Sequence, residues 1–223
     1  MEKNMSLYLF MVCIFLFAAL EIYGEYKDND TLIISFKPLV LPFIVLFYIF
    51  GAHPNIDWLI VAALLFGWAG DIFLMLKDEK WFLYGMVAFL LNQIFFIISF
   101  FISISDISDF NIWGLFLLGP VILIILFTVP RFINKTGDLK IPVLVYMGAI
   151  LLMHIATVLR LAEFAGLEFI FIYVGSMIFI ISDVYLALNK WDEAAKQKRI
   201  INMITYFLAQ FYIALGAVFT SLV

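Results

Sequence analysis

Residues 56–76 read IDWLIVAALLFGWAGDIFLML. Apart from the aspartates at its two ends, the stretch is apolar or small throughout. A helix needs about 20 such residues to cross the hydrocarbon core of a bilayer, and this stretch has that length. Working outward, similar runs lie near 5–23, 33–50, 81–102, 112–129, 141–162, 169–188 and 200–222, separated by short polar or glycine- and proline-bearing segments. Lipid offers the backbone no hydrogen-bond partners, so the spans must be helices. Barrel strands would instead show alternation over roughly ten residues. The sequence predicts an all-α, polytopic membrane bundle of about eight transmembrane helices, forming a single integral membrane domain over 1–223.

Composition agrees. The chain is 66% hydrophobic and 13% charged, with a net charge of −4, and its mean hydropathy is +1.13. A soluble domain carries about 25% charged residues. No basic stretch suggests a nucleic-acid partner. The one cysteine, Cys13, excludes an internal disulfide and a cysteine-based metal site. The first apolar run is long for a signal-peptide core and lacks a clear cleavage site, so it is expected to remain as a span.

The basic residues sort by side. Lys27, Lys37, Lys77, Lys80, Arg131, Lys135, Lys140, Lys190, Lys196, Lys198 and Arg199 fall on one side, and Lys3 and Arg160 on the other. That bias of eleven to two predicts that both termini lie outside the cytoplasm. The expected location is a cytoplasmic membrane, the inner membrane in a bacterium. Gly70-Asp71-Ile72-Phe73-Leu74 also resembles Ser182-Asp183-Val184-Tyr185-Leu186, 112 residues later, which admits two four-helix halves.

Ionisable residues inside a membrane are costly and by default functional. Asp71 and Asp183 each sit about five residues before the end of a span that runs toward the cytoplasm, roughly 8 Å deep at the helical rise. Ala63, Gly67 and Asp71 share one helix face, and small residues at that spacing turn Asp71 toward protein. Ser176 shares a face with Asp183. Asn202, Tyr206 and Gln210 form a stripe in span 8, and Lys37 lies near the same depth in span 2. Together these groups are expected to line one polar pocket. The alternative is packing alone, with Asp71 paired to Lys37 and Asp183 hydrogen-bonded to Tyr206. For His154 a structural hydrogen bond is expected; Asn92 and Gln93 admit either reading.

No G-x-S-x-G elbow, H-E-x-x-H zinc motif or phosphate-binding loop is present, and the two histidines are too far apart in depth for a triad. Paired carboxylates remain the leading chemical feature, with no metal and no cofactor expected.

Lys37-Pro38-Leu39 with Pro42, Gly70-Asp71, Ser182-Asp183 and Ala209-Gln210, in this order and spacing, resemble the YhhN-like lysoplasmalogenase family. The similarity runs along nearly the whole chain. It implies hydrolysis of the vinyl ether bond of lysoplasmalogens, a lysophospholipid substrate, to a fatty aldehyde and a glycerophospho-base. Family members often carry a histidine in span 4 and a tyrosine three residues on, where this chain has Gln93 and Phe96. The chemistry suits two carboxyls. Protonation of the vinyl ether β-carbon leaves an oxocarbenium ion that water captures, which parallels glycoside hydrolysis. Asp71 and Asp183 are the expected catalytic pair, with Lys37, Asn202, Tyr206 and Gln210 binding substrate. A lipid or small-amphiphile transporter, or a lysolipid-binding membrane protein, is the competing expectation.

Overall fold

The computed structural model describes residues 2–76, 78–192 and 195–223, with side chains from residue 5 onward. Lys77 and the side chain of Lys3, both counted in the charge bias, lie outside these. Eight α-helices follow in order: α1 (Glu2–Tyr26), α2 (Asp30–Ala52), α3 (Trp58–Met75), α4 (Glu79–Ile102), α5 (Gly119–Phe132), α6 (Lys140–Leu159), α7 (Leu167–Trp191) and α8 (Lys196–Thr220). Among the described residues there are no strands.

Local chemistry sets the ends. Asn29 caps α2 by accepting from the Leu32 N–H at 3.2 Å, and Asp57 caps α3 by accepting from Leu59 at 2.8 Å, each satisfying an orphan donor of the first turn. Span 5 is the least regular. It begins as a 3-10 helix over Ile112–Leu118 and becomes α-helical only at Gly119. Pro120 has no N–H for the carbonyl one turn earlier, so the α ladder cannot run back through it. At the other extreme, α7 overshoots the expected end at 188 and reaches Trp191. Nothing in 187–191 breaks a helix, and the Trp191 ring packs on Phe82 and Phe132.

The closest pairings are α7 on α8, α1 on α2 and α3 on α4. Glycine makes the first of these possible. A Cβ on Gly175 would stand 2.9 Å from the Ile213 nitrogen, and one on Gly216 would stand 2.9 Å from the Ile172 nitrogen. The two backbones therefore meet directly, the close packing on which membrane helix pairs rely. One core cluster draws on all eight helices, from Ile14 and Ile44 to Phe96, Val121, Ile150, Phe179 and Ala214. Large apolar side chains such as Phe116, Leu126, Phe127 and Ile141 point outward and are exposed. A water-soluble surface does not carry so much apolar area, whereas lipid covers it. All eight helical spans are long and apolar enough to cross a membrane, and the protein is a multi-pass integral membrane protein.

Candidate active site

Helices α3 and α7 run in the same direction, and both deliver an aspartate near the same end of the bundle. Asp71 stands one turn before the end of α3, and Asp183 two turns before the end of α7 because that helix is longer than expected. Both line one polar cavity of about 340 Å³, together with Glu21, Lys37, Asn202 and Tyr206. Each of these comes from the stretch of its helix nearest this end. Ala63 and Gly67 are buried beside Asp71, which is itself only 4% exposed, so this face of α3 meets protein as its small residues predict.

One carboxyl is held by a hydroxyl. Tyr146 of α6 donates to Asp183 Oδ2 at 2.6 Å, and Tyr206 lines the same cavity as Asp71 and interacts with it electrostatically. The hydroxyl on Asp183 is thus that of Tyr146 and not that of Tyr206, and among the described residues Lys37 makes no ion pair with Asp71 within 4.0 Å. The Tyr206 hydroxyl interacts electrostatically with both aspartates. Lys37 is half-buried and acts electrostatically on Asp71 and Glu21. Its neighbour Pro38 is anchored as well. Pro42 has no N–H for the Pro38 carbonyl, and Trp68 Nε1 donates to that oxygen at 2.8 Å instead.

The other expected members divide. Asn202 accepts from the Ser182 hydroxyl at 2.7 Å and lines the cavity. Gln210 lies a turn deeper, fully buried behind Tyr206, with its Nε2 3.4 Å from the Tyr206 hydroxyl. It does not line the cavity. A Cβ on Gly67 would come within 3.1 Å of that amide and 3.0 Å of the Tyr206 oxygen, so the α3–α8 contact is close at this glycine. Ser176 is two turns farther along α7, paired with His154 Nδ1 at 2.8 Å and away from the aspartates. Asn92 donates to the Ala63 carbonyl at 2.7 Å. Gln93 is different: its Nε2 reaches Asp183 Oδ2 at 3.5 Å, so the position where the family often has histidine faces a site carboxyl.

Two site residues were not anticipated from sequence, Glu21 and Tyr146. Glu21 lies two residues before the expected end of its apolar run, where a charge reads as a boundary. Tyr146 gave no signal either, because a tyrosine near a span end reads as an interface anchor.

A second, larger chamber of about 720 Å³ adjoins the first. Its walls are mostly apolar side chains of α4 to α7, among them Met86, Phe89, Val129, Met147, Val184 and Trp191. Asp183 lines both chambers, as do Leu74, Phe89 and Leu186. The arrangement offers an elongated amphiphile an apolar slot for its chain and a charged compartment for its polar end, with a carboxyl at the junction. Among the described residues no His, Cys, Asp and Glu cluster has metal-binding geometry.

The comparisons with known proteins point in one direction. The YhhN family matches residues 32–217. Among curated proteins, lysoplasmalogenase TMEM86A of Bos taurus is 29% identical over 181 residues, covering 74% of this chain and 67% of the relative. The Homo sapiens protein of the same name is 29% identical over 171 residues, covering 75% and 68%. No solved structure matches. With the family match extending over most of its length, the chain belongs to the YhhN family.

Proposed function

We propose that the protein is a lysoplasmalogenase-like hydrolase that cleaves the vinyl ether of an alkenyl lysophospholipid through Asp71 and Asp183, without a metal. The observation that carries this reading is the junction: one carboxyl stands where an apolar chamber for a chain meets a charged compartment for a headgroup. A vinyl ether lies at the same junction of its own molecule, between the hydrocarbon chain and the glycerol.

In this reading Asp183, at the mouth of the apolar chamber, delivers its proton to the β-carbon. The alkene electrons form the new C–H bond, and the α-carbon becomes an oxocarbenium conjugated with the ether oxygen. Asp71, on the headgroup side, takes a proton from water as its oxygen bonds to the α-carbon. In the collapse Asp183, now a carboxylate, takes the hemiacetal hydroxyl proton while Asp71 gives its proton to the departing glycerol oxygen, leaving an aldehyde and an alcohol. Both carboxyls thereby return to their starting states, and the reaction consumes one water. Tyr146 and Tyr206 orient the two carboxyls, and Lys37 attracts the phosphate. Gln93 beside Asp183 cannot relay a proton as a histidine can, so all proton traffic falls to the carboxyls.

The membrane orientation expected from the charge bias puts this site on the cytoplasmic side of a cytoplasmic membrane. A transporter would place its charged residues near the midplane, and here they lie toward one end. The deciding experiment incubates the purified protein with alkenyl and acyl lysophospholipids and assays free aldehyde. Release from the alkenyl lipid alone is expected; none from either lipid refutes the reading.

A further inference from the structure

The opposite end of the bundle holds a third cavity, of about 550 Å³, between the ends of α2, α4, α6 and α8 and the starts of α3 and α7. Arg160 lines it and is only 1% exposed. Its Nε donates to Ser103 Oγ at 3.0 Å and its Nη2 to Thr220 Oγ1 at 2.8 Å. The guanidinium also stacks over the Phe164 ring, 4.5 Å from its centroid. Nη1 has no hydrogen-bond partner, and among the described residues no carboxylate lies within 4.0 Å of the guanidinium.

The neighbouring acids do not supply the missing contact. Glu168 and Asp57 act on Arg160 only at a distance, and Asp57 also lines the cavity. Its Oδ1 caps α3 through Leu59, and its Oδ2 accepts from the Ser99 hydroxyl at 2.6 Å. The nearby hydroxyl protons are taken too, Ser103 donating to the Phe100 carbonyl and Thr220 to that of Gly216. A buried cation with open donors is costly unless an anion meets it. The guanidinium fork suits phosphate oxygens better than any other side chain does.

We infer that this cavity is a binding site for a phosphate-class oxyanion, taken up as free phosphate or as the phosphodiester of a lipid headgroup and anchored on the Arg160 guanidinium. The site is separate from the aspartate cavity and independent of the proposed hydrolysis.

The test is isothermal titration of the full-length protein in maltoside micelles with inorganic phosphate and, separately, with dihexanoylphosphatidylglycerol. Saturable binding of at least one is expected. Tighter binding of the lipid identifies a headgroup site, and equal or tighter binding of phosphate a free-ion site. Arg160→Lys keeps the charge but loses the fork, and should weaken binding roughly tenfold. Ser221→Asp adds a like charge at the cavity wall without touching the arginine network, and should weaken it roughly threefold. It decides the matter if the arginine variant does not fold. No saturable binding of either ligand, or an affinity indifferent to Ser221→Asp, means that the cavity holds only water and overturns the inference.

Discussion

Where α3 and α7 finish, two carboxyls share a cavity, one of them accepting from the Tyr146 hydroxyl, with Tyr206, a lysine and a glutamate alongside. Where the same helices begin, a guanidinium is answered by a serine and a threonine. Both ends bury charge, at a cost that must be repaid by partners or by use. The difference lies in what adjoins them. The carboxyl end adjoins a chamber walled almost wholly by apolar side chains, whereas the cavity at Arg160 is lined by Asn55, Asp57, Ser99, Ser103 and Thr220 among apolar groups. Charge next to an apolar chamber suits chemistry on an amphiphile; charge in a cavity lined by hydroxyls and an amide suits holding an anion.

The comparison depends first on which end faces the cytoplasm, and that outcome is all or none. A reporter fused after Val223 should be active only outside, and one placed in the 189–199 loop only inside. Burial of Arg160 strengthens the expectation, because an arginine 1% exposed is no free loop charge. The reversed pattern would put the aspartates on the outer side and require substrate from there.

The next largest effect belongs to the carboxyls. Asp→Asn preserves shape but can neither give a carboxylic proton nor take one from water. Asp71→Asn and Asp183→Asn should each reduce aldehyde release by about 10²-fold or more. The double variant should be little worse than either single, because residues that act as a unit are not additive. A well-folded single variant with near-normal turnover would make that aspartate structural and leave the two ends of the bundle alike.

A smaller effect tests the chamber that separates the two ends in function. Val184 lines it one residue from Asp183. Val184→Phe should shorten the slot, lowering kcat/KM for long alkenyl chains relative to short ones by about tenfold, the scale of a mismatch of one or two methylenes. Equal loss for all chain lengths would show that the chain lies elsewhere.

The reach of the sequence follows the same physics. Asp71, Asp183, Lys37, Asn202 and Tyr206 were legible because polar atoms in an apolar run need a reason, and the spacing put them near one depth. All five line the cavity. Their pairings were not legible. Whether Tyr206 meets Asp71 or Asp183 depends on how α8 is rotated against α3 and α7, and backbone contacts at Gly175 and Gly216 help to set that rotation. Gln210 looked equivalent to Tyr206 on the stripe, yet packing against Gly67 places it behind the wall. Glu21 and Arg160 sit near the ends of their runs, where a charge reads as a boundary and not as a buried group. Both are buried. The eight spans were readable because length and apolarity alone fix them, while the 3-10 start of span 5 hangs on Pro120 and the turns before it.

The smallest effect contrasts the two cations directly. Arg160 is rigidly forked and desolvated, whereas Lys37 is half-buried on a flexible stem and makes no ion pair within 4.0 Å among the described residues. A partly hydrated ammonium at that distance contributes on the order of 0.2–1 kcal/mol to holding a phosphate. Lys37→Gln should therefore raise KM for the lysolipid by only about two- to fivefold. Because the headgroup is held equally in ground and transition states, kcat should not change. Added salt should shrink the difference between the two proteins, since screening acts on partly exposed charge. A fall in kcat at constant KM would mean that the lysine acts on the reacting atoms, through Asp71 beside it, and the headgroup would then need another anchor.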